Sequence, residues 1–146
     1  MAADRIAEAT WEGSLAQGQG RIDLKSSGLA TAMPVTWASR TEQPDGKTSP
    51  EELLAAAHAS CFAMALSHQL ASAGHTPERL DVRAVATFDK VGEGFRVTSV
   101  RLNVRGRVPG ADEAAFMNAA NAAKDGCPIS RALQGNVDIS LEAMLE

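Results

Sequence analysis

Two cysteines pose the chemical question in this chain. Cys61 lies in the Ala-rich apolar run Leu53-Leu54-Ala55-Ala56-Ala57-His58-Ala59-Ser60-Cys61-Phe62-Ala63-Met64-Ala65-Leu66, which reads as a buried helix. Cys127 follows a Gly and precedes a Pro in Asp125-Gly126-Cys127-Pro128-Ile129-Ser130, where one element ends and another begins. A thiol held in a core and a second at a mobile joint suit a peroxide-reducing cysteine and its resolving partner. The oxidised sulfenic acid must stay shielded until the second thiol condenses with it to a disulfide. The plainer alternative is a pair of small buried hydrophobes, since free Cys is among the most buried residue types. The cysteines alone leave both open. No C-x-x-C pair occurs, which excludes a zinc ribbon or a thioredoxin-type motif.

A reactive cysteine needs its thiolate favoured at neutral pH, and burial in mid-helix does the opposite. Positive charge must therefore reach Cys61 if it is catalytic. Arginine suits the task, because it stays charged when desolvated and can hydrogen-bond a peroxide oxygen. A buried arginine in turn requires a carboxylate. The titratable candidates near Cys61 in the chain are Arg40, Glu51, Glu52 and His58. Glu51 could be that carboxylate, yet ten helical residues at ~1.5 Å each place it about 15 Å from Cys61 along the axis. A joint Glu51–Cys61 site therefore implies two copies of the helix packed antiparallel, hence a dimer. The simpler role for Glu51 is a first-turn acid complementing the helix dipole. His58, one turn before Cys61, offers too few neighbours for a metal site and reads as a core or interface histidine.

The elements that must position these residues are well punctuated. Short strands are expected over 7–12, 20–24 and 33–37, with a turn at Gln43-Pro44-Asp45-Gly46. Ser49, Pro50 and Glu52 mark a helix start with a capping box, and Ser72-Ala73-Gly74 marks its stop. This helix is apolar on nearly every face, so it should be surrounded by protein. Residues 80–88 and 95–104 alternate apolar and polar around Gly92-Glu93-Gly94, as a hairpin with one wet face does. A second helix over 112–124, a helical turn after Pro128 and a strand over 137–143 follow. The pattern predicts an α+β fold with largely antiparallel sheets around a long central apolar helix.

At 146 residues and 15.3 kDa the chain is expected to form one domain over 1–146. Aromatics make up only 4%, so small side chains carry the core and a partner subunit is expected to add stability. A net charge of −4 with scattered basic residues argues against nucleic acid or an anionic membrane as partner. No run of about 18 apolar residues was expected to span a bilayer. The acidic N-terminus lacks the order of a signal peptide, which points to the cytoplasm.

The segment Ser49-Pro50-Glu51-Glu52-Leu53-Leu54-Ala55-Ala56-Ala57-His58-Ala59-Ser60-Cys61-Phe62-Ala63-Met64-Ala65-Leu66-Ser67 strongly resembles the OsmC/Ohr family, the osmotically inducible protein C and organic hydroperoxide resistance proteins. Asp125-Gly126-Cys127-Pro128-Ile129-Ser130 is similar to that family's second cysteine motif. The resemblance implies an intertwined α+β homodimer with two active sites at the subunit interface. It also implies a stress-response thiol peroxidase, without metal or other cofactor, that prefers organic hydroperoxides. By position, Cys61 corresponds to the peroxidatic cysteine, Cys127 to the resolving one and Glu51 to the glutamate that anchors the active-site arginine. In the OsmC branch that arginine precedes the long helix, which indicates Arg40; in the Ohr branch it comes from the early strands, which indicates Arg21. Ala-His-Ala-Ser-Cys-Phe, with His58, is closer to the OsmC branch and favours Arg40. An external dithiol must reset the disulfide, lipoylated proteins being the reductant of Ohr-type members. Rival readings are a small apolar-ligand carrier with structural cysteines and an acyl hydrolase using Cys61 and His58.

Overall fold

The computed structural model describes every residue from Met1 to Glu146. The chain has a mixed α+β architecture and groups into two compact units, Met1–Leu53 and Leu54–Glu146.

In the first unit, strands β1 (Ala7–Glu12), β2 (Gln19–Leu24) and β3 (Met33–Val35) form an antiparallel sheet in that order. The expected third strand is shorter than 33–37, because Thr36 turns the chain into a short helix, α1 (Trp37–Thr41). Thr36 Oγ1 accepts the Ser39 N–H at 3.0 Å and Ser39 Oγ accepts the Thr36 N–H at 2.9 Å. This reciprocal box outweighs the extended preference of the Val-Thr-Trp run. The Pro44–Lys47 turn closes with a bond from Lys47 N to Pro44 O at 2.9 Å, with Asp45 and Gly46 both at positive φ.

Helix α2 (Pro50–Ser72) begins as expected, with Ser49 Oγ accepting the Glu52 N–H at 3.2 Å. The expected reciprocal half of that box is replaced: the Glu52 carboxylate accepts from Thr48 Oγ1 at 3.1 Å. Burial along α2 differs from the expectation. His58, Phe62, Leu66 and Leu70, spaced four apart, are buried, while Ala56, Ser60, Met64 and His68 form an exposed stripe. By length and composition α2 is apolar enough to cross a bilayer, which corrects the expectation that no such segment exists. Ala, Ser and His dilute its apolar character without interrupting it. Core helices of soluble proteins pass the same test, and the Phe62 stripe packs into a core. Gly74, at φ 88, ends the helix as the left-handed cap residue.

In the second unit, β4 (Arg79–Val91) and β5 (Gly94–Arg107) form the long hairpin, turning at Gly92-Glu93. Asp112 caps α3 (Glu113–Gly126) through the Ala115 N–H at 2.8 Å. Next come α4 (Pro128–Leu133) and β6 (Asp138–Leu145). Strand β6 pairs parallel to β5, with Val100 opposite Ile139 and Leu102 opposite Leu141. A parallel partner needs a crossover, and α3 with α4 supplies it. Val100, Leu102 and Val104 pack with Phe62, Leu66, Leu70, Phe116, Ala120 and Ala123 into one core. A Cβ at Gly106 would strike the Phe116 ring, so glycine there lets α3 lie close on the sheet.

Candidate active site

The two thiols meet. Cys61 sits on α2 one turn after His58, and Cys127 forms the junction between α3 and α4. Cys127 N–H bonds back to Ala123 O at 2.9 Å, ending α3, and its carbonyl accepts the Arg131 N–H at 3.0 Å, starting α4. Pro128 occupies the first position of α4, where no N–H is needed. Cys127 Sγ lies 2.7 Å from Cys61 Sγ, and both are free thiols. The expectation of a core cysteine and a mobile partner is reversed in burial: Cys127 is fully buried, while Cys61 is half-buried. The helical junction is packed rather than loose, because α3 buries Ala119, Ala120 and Ala123 just before it.

Burial pushes the Cys61 thiol above its ordinary range, and contact with Cys127 pushes it further. The Ile129 N–H pulls the other way. No cation is among these influences.

A second pair lies beside the thiols. His58 Nε2 is 2.7 Å from Ser130 Oγ, with both residues buried. His58 Nδ1 has no partner. Burial lowers the tendency of this ring to take a proton. His58 is thus a core histidine, as expected. Its bond to Ser130 was not foreseen, although the matching spacing of His58 to Cys61 and of Cys127 to Ser130 was readable.

The unit Met1–Leu53 holds the charged pair. Arg40, in the last turn of α1, bonds Glu51 through Nη2 to Oε1 at 2.7 Å and through Nε to both carboxylate oxygens at 3.1 Å. The Arg40 guanidinium also lies 5.9 Å from the Trp37 ring centre, a cation–π contact that sequence reading missed. Glu51 is buried. Ser39 fixes α1 against the turn before α2, its Oγ lying 3.0 Å from the Thr48 carbonyl. Arg21, on the central strand β2 opposite Thr10 and Pro34, is exposed, and Glu51 does not hold it. No group of three or more His, Cys, Asp and Glu side chains gathers in a way that could hold a metal.

An α+β chain that sets two reduced thiols in contact, one on a long helix and one at a helix junction, has the makings of a dithiol–disulfide protein. A family model described as OsmC-like protein matches residues 43–142. Peroxiredoxin OsmC of Escherichia coli (strain K12) is 38% identical over 142 residues, covering 97% of this chain and 98% of that protein. The organic hydroperoxide resistance protein OhrA of Bacillus subtilis (strain 168) is 34% identical over 120 residues, or 78% of each. The crystal structure of the organic hydroperoxide resistance protein OhrB of Bacillus subtilis superposes with a TM-score of 0.75 at 28% identity, covering 94% of this chain and 97% of that one. The chain belongs to the OsmC-like family.

Proposed function

We propose that this protein is a cysteine peroxidase that reduces organic hydroperoxides to alcohols. The observation that carries the reading is the 2.7 Å approach of the Cys61 and Cys127 sulfurs. The names of its relatives, a peroxiredoxin and organic hydroperoxide resistance proteins, support the same chemistry. The Cys61 thiolate attacks the terminal peroxide oxygen; the O–O bond breaks and the alkoxide leaves, taking a proton to become ROH. Cys61 is then a sulfenic acid. Cys127 attacks its sulfur, forming the S–S bond and releasing water. An external dithiol, a lipoylated protein among the candidates, reduces the disulfide and is itself oxidised.

Cys61 alone is a poor thiolate, since burial raises its pKa. In this reading Arg40, fixed by Glu51, supplies the missing charge and stabilises the departing alkoxide. Because α2 is unbroken from Pro50 to Ser72, Glu51 stands about 15 Å along the axis from its own chain's Cys61. The site is therefore completed by a second copy, residues 1–146 acting as one domain of a homodimer. The exposed stripe of α2, with Met64 at 72% exposure, supports burial against another subunit. The net charge of −4 supports a protein that engages neither nucleic acid nor an anionic membrane.

The hydrolase rival is weakened by the engagement of His58 Nε2 with Ser130 rather than with Cys61. The carrier rival predicts ordinary thiol reactivity. Stopped-flow mixing of the reduced protein with cumene hydroperoxide and with hydrogen peroxide tests the proposal. Faster oxidation by cumene hydroperoxide than by hydrogen peroxide, at rates well above those of a free thiol, is expected. Free-thiol rates with both would overturn it.

A further inference from the structure

We propose that His58 and Ser130 are a positioning pair that holds the Cys127 segment in register over Cys61, setting the rate of disulfide closure rather than of peroxide attack. This rests on the reading of Cys61 as the attacking thiol and Cys127 as the resolving one. The two side-chain pairs form a ladder between α2 and the α3–α4 junction. His58 precedes Cys61 by one turn, Ser130 follows Cys127 by the same interval, and each rung measures 2.7 Å.

The placement of His58 is otherwise unexplained. It occupies the stripe continued by Phe62, Leu66 and Leu70, where an apolar residue would pack without leaving a buried nitrogen unpartnered. What the imidazole gains there is one bond, to the segment that carries Cys127. Backbone bonds to Ala123 and Arg131 hold Cys127 between the two helix ends, but they do not tie the junction to α2. Cys127 gives α4 no side-chain cap, and Pro128 has no N–H to donate. With Nδ1 unpartnered, the ring orientation also depends on Ser130 alone among polar groups.

Closure converts Cys61–SOH and Cys127–SH into Cys61–S–S–Cys127 and water. The Cys127 sulfur displaces the oxygen from the Cys61 sulfur, and the leaving hydroxide takes the Cys127 proton. No oxidant beyond the peroxide already consumed is needed. The step demands that Cys127 Sγ approach in line with the S–O bond, so a small rotation of the junction slows it. Peroxide attack precedes any bond to Cys127 and feels the segment only through the opposed effects of Cys127 and the Ile129 N–H on the Cys61 thiol, so the pair affects it far less than closure.

The test uses the full-length protein with Ser130→Ala, Ser130→Thr, His58→Leu and the Ser130→Ala/His58→Leu double variant. Reduced protein is mixed with one equivalent of cumene hydroperoxide. Peroxide loss, dimedone-trapped sulfenic acid and disulfide are then followed by quenched flow and mass spectrometry. Ser130→Ala and His58→Leu are expected to consume peroxide within about twofold of the parent rate but to close the disulfide about tenfold more slowly, the scale of one buried hydrogen bond. Sulfenic acid should accumulate, and excess peroxide should drive more of it to sulfinic acid. Ser130→Thr, which keeps the hydroxyl, should restore closure, and the double variant should be no slower than the singles. Parent-rate closure in Ser130→Ala overturns the pair. So do equal slowing of attack and closure, and failure of threonine to rescue. Should His58→Leu not fold, the alanine and threonine variants at Ser130 decide alone. If the parent protein itself never yields Cys61 sulfenic acid, the thiol assignment has failed, a result distinct from rapid closure in the variants.

Discussion

In the unit Met1–Leu53, Arg40 and Glu51 meet across 11 residues of chain, whereas in Leu54–Glu146 the thiols meet across 66. The charged pair is a product of local structure: a Thr36–Ser39 cap, a tight turn at Asp45-Gly46 and the start of α2. The thiol pair depends on a packed core and on the crossover that makes β6 parallel to β5. Their chemistry is equally divided. The first unit has the Arg40–Glu51 pair and no cysteine; the second has both thiols, and although it carries arginines of its own, none of the influences on Cys61 is a cation. In the proposed mechanism the thiol needs a cation, and Arg40 is the one proposed for it.

Removing the nucleophile should have the largest effect. Cys61→Ser should abolish turnover, while Cys127→Ser should still consume about one equivalent of peroxide and stop at the sulfenic acid. Equal loss of the first turnover in both variants would exchange or erase the roles. The next largest effect probes the charged unit. Arg40→Ala should slow the peroxide step by about 10²–10³-fold, and Arg21→Ala by far less, as measured by stopped flow at saturating reductant. In Arg40→Ala the rate should also rise with pH beyond the ordinary thiol range, since burial and Cys127 then raise the Cys61 pKa against the Ile129 N–H alone. A crippled Arg21→Ala would move the cationic role to β2.

Mixing the units between subunits sharpens the comparison further. Glu51→Ala and Cys61→Ser subunits, each expected to be inactive alone, should recover activity when re-paired if the proposed dimer supplies Glu51 in trans, because a mixed dimer then has one site with both residues intact. Random pairing would restore about a quarter of the sites. No recovery in verified heterodimers would place both residues of a site in one chain.

The smallest effect concerns stability. Burial holds the His58 pKa below the ordinary 6.5, so the unfolded chain binds this proton more readily than the folded one. The contribution is whole above about pH 6.5 and lost as pH falls through the folded-state value. Denaturant titrations between neutral and mildly acid pH should show a parent loss of stability with falling pH that His58→Leu flattens. Identical slopes would assign the acid loss to other groups.

The elements were largely legible because their boundaries carry local signals. Ser49-Pro50 opens α2, Asp112 caps α3, and alternation of apolar and polar residues marks β4 and β5. Helix α1 was not legible, since Val35, Thr36 and Trp37 favour strand and only the reciprocal Thr36–Ser39 bonds overrule them. The parallel setting of β6 was hidden because alternation reports faces, not strand direction. At the site, the residue types and the family resemblance pointed to Cys61, Cys127, Arg40 and Glu51. The burial order of the cysteines escaped, because it depends on how α3 packs rather than on the residues flanking each thiol. Ser130 escaped for the same reason: a hydroxyl gains its meaning only from the partner the fold gives it.

The 66-residue separation of the thiols also bears on how the protein is made. On a ribosome, Cys61 is synthesised well before Cys127, and at about 5–20 residues per second the gap lasts on the order of ten seconds. During that interval the nascent chain holds a cysteine without its resolving partner, and without the crossover that covers it. If Cys61 is the attacking thiol proposed above, a peroxide reaching it then meets a thiol that can be oxidised but not rescued from within the chain. Translation under oxidative load is therefore the time when this chain is most exposed to the chemistry that the finished fold is built to contain.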